Sequence, residues 1–93
     1  MDQSFQAFEA DLQAQGYDEV LQREWAPLTV VATHQHPFAA KALVVQGEMW
    51  LTVGNTTQHL HAGDGFELER EQPHSERYGS DGATYWVGRR AHR

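Results

Sequence analysis

The chain has no cysteine, which excludes disulfide frameworks, thiolate metal sites and cysteine nucleophiles together and fits a reducing compartment. Basic residues are scarce: 7 Lys and Arg stand against 13 Asp and Glu, a formal charge of -6. That sign opposes the phosphate-neutralising surface that nucleic acid binding demands, so no nucleic acid partner is expected. Long apolar runs are missing as well. Nothing approaches the roughly 18 residues of a spanning helix, and Met1, Asp2, Gln3 and Ser4 lack the basic start and apolar run of a secretion signal. The expectation is a cytoplasmic protein with no membrane partner. No repeat, linker or low-complexity stretch interrupts the 93 residues, which suffice for a single domain. A chain this short buries only roughly two-thirds of its unfolded surface, so a bound ion or a second copy is expected to help, and a homodimer is predicted.

What is present falls into two patterns. Over the first sixteen residues, Phe5, Phe8 and Leu12 recur at helical spacing, with Ser4 placed to cap the start and Gly16 to stop the end. This predicts an amphipathic helix within residues 1–18, packed on a β domain over 19–93. From Val20 onward, short runs rich in Val, Thr, Trp and Leu alternate with Gly, Pro, Asn and Asp clusters every 8 to 12 residues or roughly so, as in antiparallel sandwiches and barrels. Strands are predicted over 19–25, 28–34, 41–46, 48–53, 56–61, 65–69, 73–78 and 83–88, enough to close a barrel. Val53, Gly54, Asn55 and Thr56 form the clearest hairpin turn. Met49, Leu51 and Val53 then share a face as cavity lining, and His59 and His61 point outward if Leu60 faces the core. Asp64, after Gly63, is expected to cap a second turn, and residues 89–93 to form a frayed tail.

Six histidines invite a metal reading, and spacing decides which of them to consider. His34 and His36 flank Gln35 near a strand end, where a period of two sets both imidazoles on one face, Cα atoms about 6.6 Å apart, able to chelate one ion. The competing reading is an exposed or hydrogen-bonded structural pair. His59, His61 and His92 read as solvated.

The stretches HQHPFAAKALVVQG and GDGFELEREQPHSERY resemble the two motifs of the cupin superfamily. In the first, His34, His36 and Gly47 fall on the family's positions, and Ala40 stands where the family has glutamate. In the second, Gly63 and His74 match, with Glu69 for the proline, Glu71 for the glycine and Tyr78 for the asparagine. The resemblance covers residues 25 to 88, approximately. It implies an all-β fold, a small antiparallel jelly-roll barrel carrying one N-terminal helix. It also implies that His74 joins His34 and His36 inside the barrel to hold a divalent transition metal, iron, nickel, manganese, copper or zinc.

Without the family glutamate, a dication would face three neutral imidazoles with one negative charge fewer. Lys41, the only lysine, adjoins Ala40. With Ala40 inward, Ala42 and Val44 line the barrel and Lys41 points out; a one-residue slip would set the ammonium beside the ion. The first register is preferred. Glu76 shares the face of His74 in a regular strand and is the candidate for a fourth ligand or an acid/base group; otherwise it is an exposed glutamate paired with Arg77. Tyr78 either offers its hydroxyl to the cavity or packs as rim. Trp50 is expected at a subunit interface and Trp25 and Trp86 in a core or interface. Gln35, Gln46 and Glu48 face away from the site.

Two function classes follow. One is a stand-alone metal-binding cupin, as an oxygenase-like or isomerase-like enzyme on a small polar substrate, with Glu76 and Tyr78 as candidate catalytic groups. The other is a small-ligand binding or sensing module without catalysis, with or without a metal. A third, weaker reading makes the N-terminal helix a protein contact.

Overall fold

The computed structural model describes residues 4–91; His92, read above as solvated, lies outside the described residues. Helix α1 spans Phe5–Ala14, and the Ser4 side chain accepts a hydrogen bond from the Ala7 amide at 3.0 Å. At the other end Gly16 adopts φ +98°. The Gly16 amide then donates to Gln13 and the Tyr17 amide to Leu12, closing the last turn as glycine at this position allows. Phe8 and Leu12 are buried with Tyr17 against Val20, Leu43 and Trp86, so the apolar stripe covers the outer face of a sheet. Each such side chain contributes about 1.5–3 kcal/mol by leaving water.

The strands are β1 (Glu19–Trp25), β2 (Val30–His34), β3 (Ala39–Val53), β4 (Thr56–His61), β5 (Gly65–Leu68) and β6 (His74–Arg90). All pairings are antiparallel. Six strands are thus found among the described residues where eight were expected. β3 runs through both 41–46 and 48–53, and β6 through both 73–78 and 83–88, because the intervening glycines bend a continuous strand and do not reverse it. The frayed tail is also corrected at its start: Arg89 and Arg90 belong to β6, held by pairing to β1 and β3.

β3 and β6 pair with each other in both halves of the molecule. Beside the first half of β3 lie β5 and the second half of β6, which also carries β1. Beside its second half lie β4 and the first half of β6, which also carries β2. The result is two layers sharing two long bent strands, a jelly-roll arrangement whose hydrogen-bonded sheet does not close into the ring expected from eight strands.

The bend requires glycine. Gly47 sits at φ +79°, and a Cβ on it would lie 2.1 Å from the carbonyl oxygen of Gly82, itself at φ +69°. Register shifts flank the same point of β3.

Alternation along the strands sets what faces inward. Ala40, Ala42 and Val44 are buried in the core, whereas Lys41 turns outward and donates to Gln15, which caps the end of α1, at 3.0 Å. Met49 and Leu51 are also inside, where they fill the core together with Tyr78, Leu60 and Phe66, and Val53 packs against that core. Trp25 stacks on Tyr78 at 5.1 Å in the core, while Trp86 packs against Phe5 and Phe8 of the helix. Asp64 accepts from the His61 amide at 2.8 Å, the turn cap read from its position after Gly63.

Candidate metal centre

His34 closes β2 and His74 opens β6, and the two are direct partners across the antiparallel pair. Strand pairing therefore joins them despite the long separation in sequence. Their ring centroids lie 4.3 Å apart. β2 ends at His34, so His36 occupies the following loop and not the shared strand face read from the spacing. Its ring still lies 4.8 Å from His34 and 5.3 Å from His74. His74 is buried and the other two are half-buried. One ligand nitrogen from each of the three falls within 4.8 Å of the others.

The ring orientations are fixed by the backbone. His34 Nδ1 lies 2.8 Å from the Ala32 carbonyl oxygen and His74 Nδ1 lies 2.9 Å from that of Gln72. A carbonyl can only accept, so each Nδ1 carries the proton and donates it. Each Nε2 is thereby turned toward the Glu76 carboxylate, and it is the nitrogen that a metal ion would take once it carries no proton. The Gln72 carbonyl is placed by the loop before β6, where Glu71 takes φ +61° and its amide donates to the His36 carbonyl at 2.7 Å. Glu71 thus adopts a left-handed backbone, the conformation glycine takes most readily, at the position where the motif has glycine.

Glu76 lies beside two of these rings. It is buried on β6, with Oε2 3.3 Å from His74 Nε2 and 3.7 Å from His34 Nε2. The alternative of an exposed glutamate paired with Arg77 is therefore set aside. Tyr78, also buried, donates its hydroxyl to Oε1 of Glu76, which leaves Oε2 turned to the imidazoles. Burial is the main reason the Tyr78 hydroxyl is held far above its ordinary pKa, reinforced by Tyr85 and by the Glu76 carboxylate. Tyr78 thus stays protonated as the donor to Glu76. Burial likewise raises Tyr85, with Glu76 adding to it.

The donor set fits a divalent transition metal: three imidazoles with free nitrogens and one carboxylate to offset part of the charge. Ala40 faces this space, as does a cavity of about 30 Å³ lined by His36, Phe38, Phe66, His74, Glu76 and Tyr85 among others. That volume holds about two waters. Two arginines missed in the sequence reading also line it. Arg23 shares the inward face of β1 with Leu21 and Trp25, which alternation in VLQREW makes legible. Arg89 pairs with Ala40 across the sheet and lies 4.8 Å over the Phe38 ring; assigning it to the tail hid it.

His36 has a pKa below the ordinary 6.5, chiefly through burial and then through the charges of His34, His74 and Arg89. In the metal-free protein the unfolded chain then binds this proton more readily than the folded one. The native state is accordingly expected to lose stability as pH falls below 6.5 and to level off once the folded His36 is protonated as well. Thermal melts in chelator across that range, with His36→Gln as the comparison, check this; an equal slope in the variant would assign the loss to other groups.

A family model described as a cupin domain matches residues 23–87. The chain belongs to the cupin family. This cupin is 42% identical over 52 residues to an uncharacterized HTH-type transcriptional regulator from Haemophilus influenzae, a match over 53% of the chain but 17% of the relative. Among solved structures it resembles a structural-genomics protein of unknown function from Rhizobium leguminosarum, with TM-score 0.74 and 15% identity over 78% of this chain and 69% of that one. An RmlC-like cupin from Shewanella frigidimarina gives TM-score 0.69 and 19% identity, covering 84% and 70% of the two chains. These likenesses establish a jelly-roll cupin fold. No helix among the described residues is long and apolar enough to cross a membrane.

Proposed function

We propose that this cupin holds a divalent transition metal through His34, His36, His74 and Glu76, and that it binds a small anionic molecule, such as a carboxylate, between Arg23 and Arg89. The observation that carries this reading is the pair of Nδ1 to carbonyl hydrogen bonds that turns His34 and His74 toward the Glu76 carboxylate. Glu76 then supplies from β6 the negative charge that Ala40 withholds on β3. A bound ion would act as a Lewis acid on a ligand oxygen. Arg23 and Arg89 would orient the anion, Tyr78 would hold Glu76 in place, and Phe38 and Phe66 would limit water. The small cavity restricts ligands to a few heavy atoms unless the mouth widens.

The test is elemental analysis and dialysis against iron, nickel and zinc of protein purified without a histidine tag, beside a His34→Ala/His74→Ala variant. Wild type should hold one more equivalent than the variant. Equal metal content in folded samples of both would overturn the reading.

The similarity to a transcriptional regulator supports a second reading, in which the same pocket senses a small anion without turning it over. Incubation of the loaded protein with small carboxylic, hydroxy and thiol acids, following oxygen uptake and product, separates the two. Ligand-induced stabilisation without product would favour sensing; turnover would favour an enzyme.

A further inference from the structure

A second cluster of ligating side chains lies on the opposite, outward face of the β3–β4 pair. Glu48 on β3 is the direct cross-strand partner of His61 on β4, and Trp50 is the partner of His59. Residues two apart on one strand share a face, so His59, His61, Glu48 and Trp50 all project to the same side. One ligand atom from each of Glu48, His59 and His61 falls within 4.8 Å of the other two. His59 Nε2 lies 2.7 Å from Glu48 Oε1, and His61 Nε2 lies 3.7 Å from the same oxygen.

Four further contacts hold this group in one arrangement. The His59 ring stacks flat on the Trp50 indole, with centroids 4.4 Å apart and planes within 4°; Arg77 from β6 lies 4.1 Å over the same indole. The Glu48 carboxylate rests on the bare Cα of Gly79, where a Cβ would come within 2.6 Å of Glu48 Cγ and 2.8 Å of Oε2. Asp64 Oδ2, fixed by the His61 amide, sits 3.6 Å from His61 Nδ1, so that a carboxylate backs the imidazole whose Nε2 faces Glu48. A carboxylate behind a ligating histidine is how metal sites orient the ring and raise its basicity.

From this we infer that Glu48, His59 and His61 form a second metal site on the outer face, for a borderline divalent ion such as zinc, nickel or copper, with Asp64 as the orienting group. Two imidazoles and one carboxylate suit those ions and leave coordination positions open to water or to a donor from another molecule. The cluster is half-exposed, so a hydrated ion reaches it without any opening of the fold. It shares no residue with the inner group, and neither site depends on the other.

Equilibrium dialysis of the untagged full chain against zinc, with bound metal measured by elemental analysis, tests this. The proteins compared are wild type, His59→Ala/His61→Ala, Glu48→Gln and His34→Ala/His36→Ala. The outer double variant should bind one equivalent less than wild type, the inner variant should keep that equivalent, and Glu48→Gln should weaken it roughly tenfold or more. Circular dichroism melts check that the exposed substitutions leave the fold intact. An unchanged zinc content in His59→Ala/His61→Ala would overturn the outer site whatever the inner variant does. Loss in that variant with no effect of Glu48→Gln would overturn the three-ligand assignment.

Discussion

A Glu76→Gln substitution is expected to lower the metal affinity of the inner site on the order of 100-fold while leaving the fold intact. The amide keeps an oxygen for the Tyr78 hydroxyl, so the buried hydrogen bond survives, but the carboxylate that faces His34 and His74 is gone. A unit charge about 4 Å from another contributes about 4 kcal/mol at an effective dielectric of 20, and partial desolvation reduces the net to about the 2.7 kcal/mol of a 100-fold change. Chelator competition in a His59→Ala/His61→Ala background reads the inner site alone. Adding Ala40→Glu should recover part of the loss, because Ala40 lines the same cavity and a carboxylate there restores the charge from β3. An unaltered affinity in Glu76→Gln would show that the imidazoles hold the ion unaided and that Glu76 is only the partner of Tyr78.

The largest loss of stability is expected from Gly47→Ala, about 3–5 kcal/mol, a large share of the roughly 5–15 kcal/mol that holds a typical domain together. Two costs add. Alanine at φ +79° is strained by about 1–2 kcal/mol, and its Cβ would lie 2.1 Å from the Gly82 carbonyl oxygen, which is backbone and cannot swing aside. Gly54→Ala is the control: its φ is +59°, but nothing lies within 4 Å of the added atom, so only the conformational cost applies. Urea unfolding of the two variants should separate them by about 2 kcal/mol or more. If both melted alike, the close approach at the corner between β3 and β6 would not be what shapes the jelly roll.

The limits of the sequence reading have physical causes. Helix α1 was legible because its signals are local: Ser4, the Phe8 and Leu12 spacing and Gly16 act within a few residues of one another. The division of β3 and β6 into two strands each was not, since glycine marks a bend and a reversal with the same residue, and only Gly82 pressing on Gly47 across the sheet tells them apart. Arg23 was legible in principle from alternation, yet nothing in its own segment says that an inward arginine faces a histidine cluster. Glu48, His59 and His61 were read as solvated or facing away, which is correct for each alone and misses their meeting; the register that opposes Glu48 to His61 brings them together.

By itself the chain determined its class, its inward and outward faces and the histidines worth considering, because periodicity and composition are properties of neighbouring residues. The tertiary structure decided that the Glu76 carboxylate on β6 faces His34 and His74 and that Tyr78 holds it. It also decided that the Nδ1 protons of His34 and His74 are given to backbone carbonyls. Those choices depend on strand pairing and hydrogen-bond direction between segments far apart in sequence, and no local pattern encodes them.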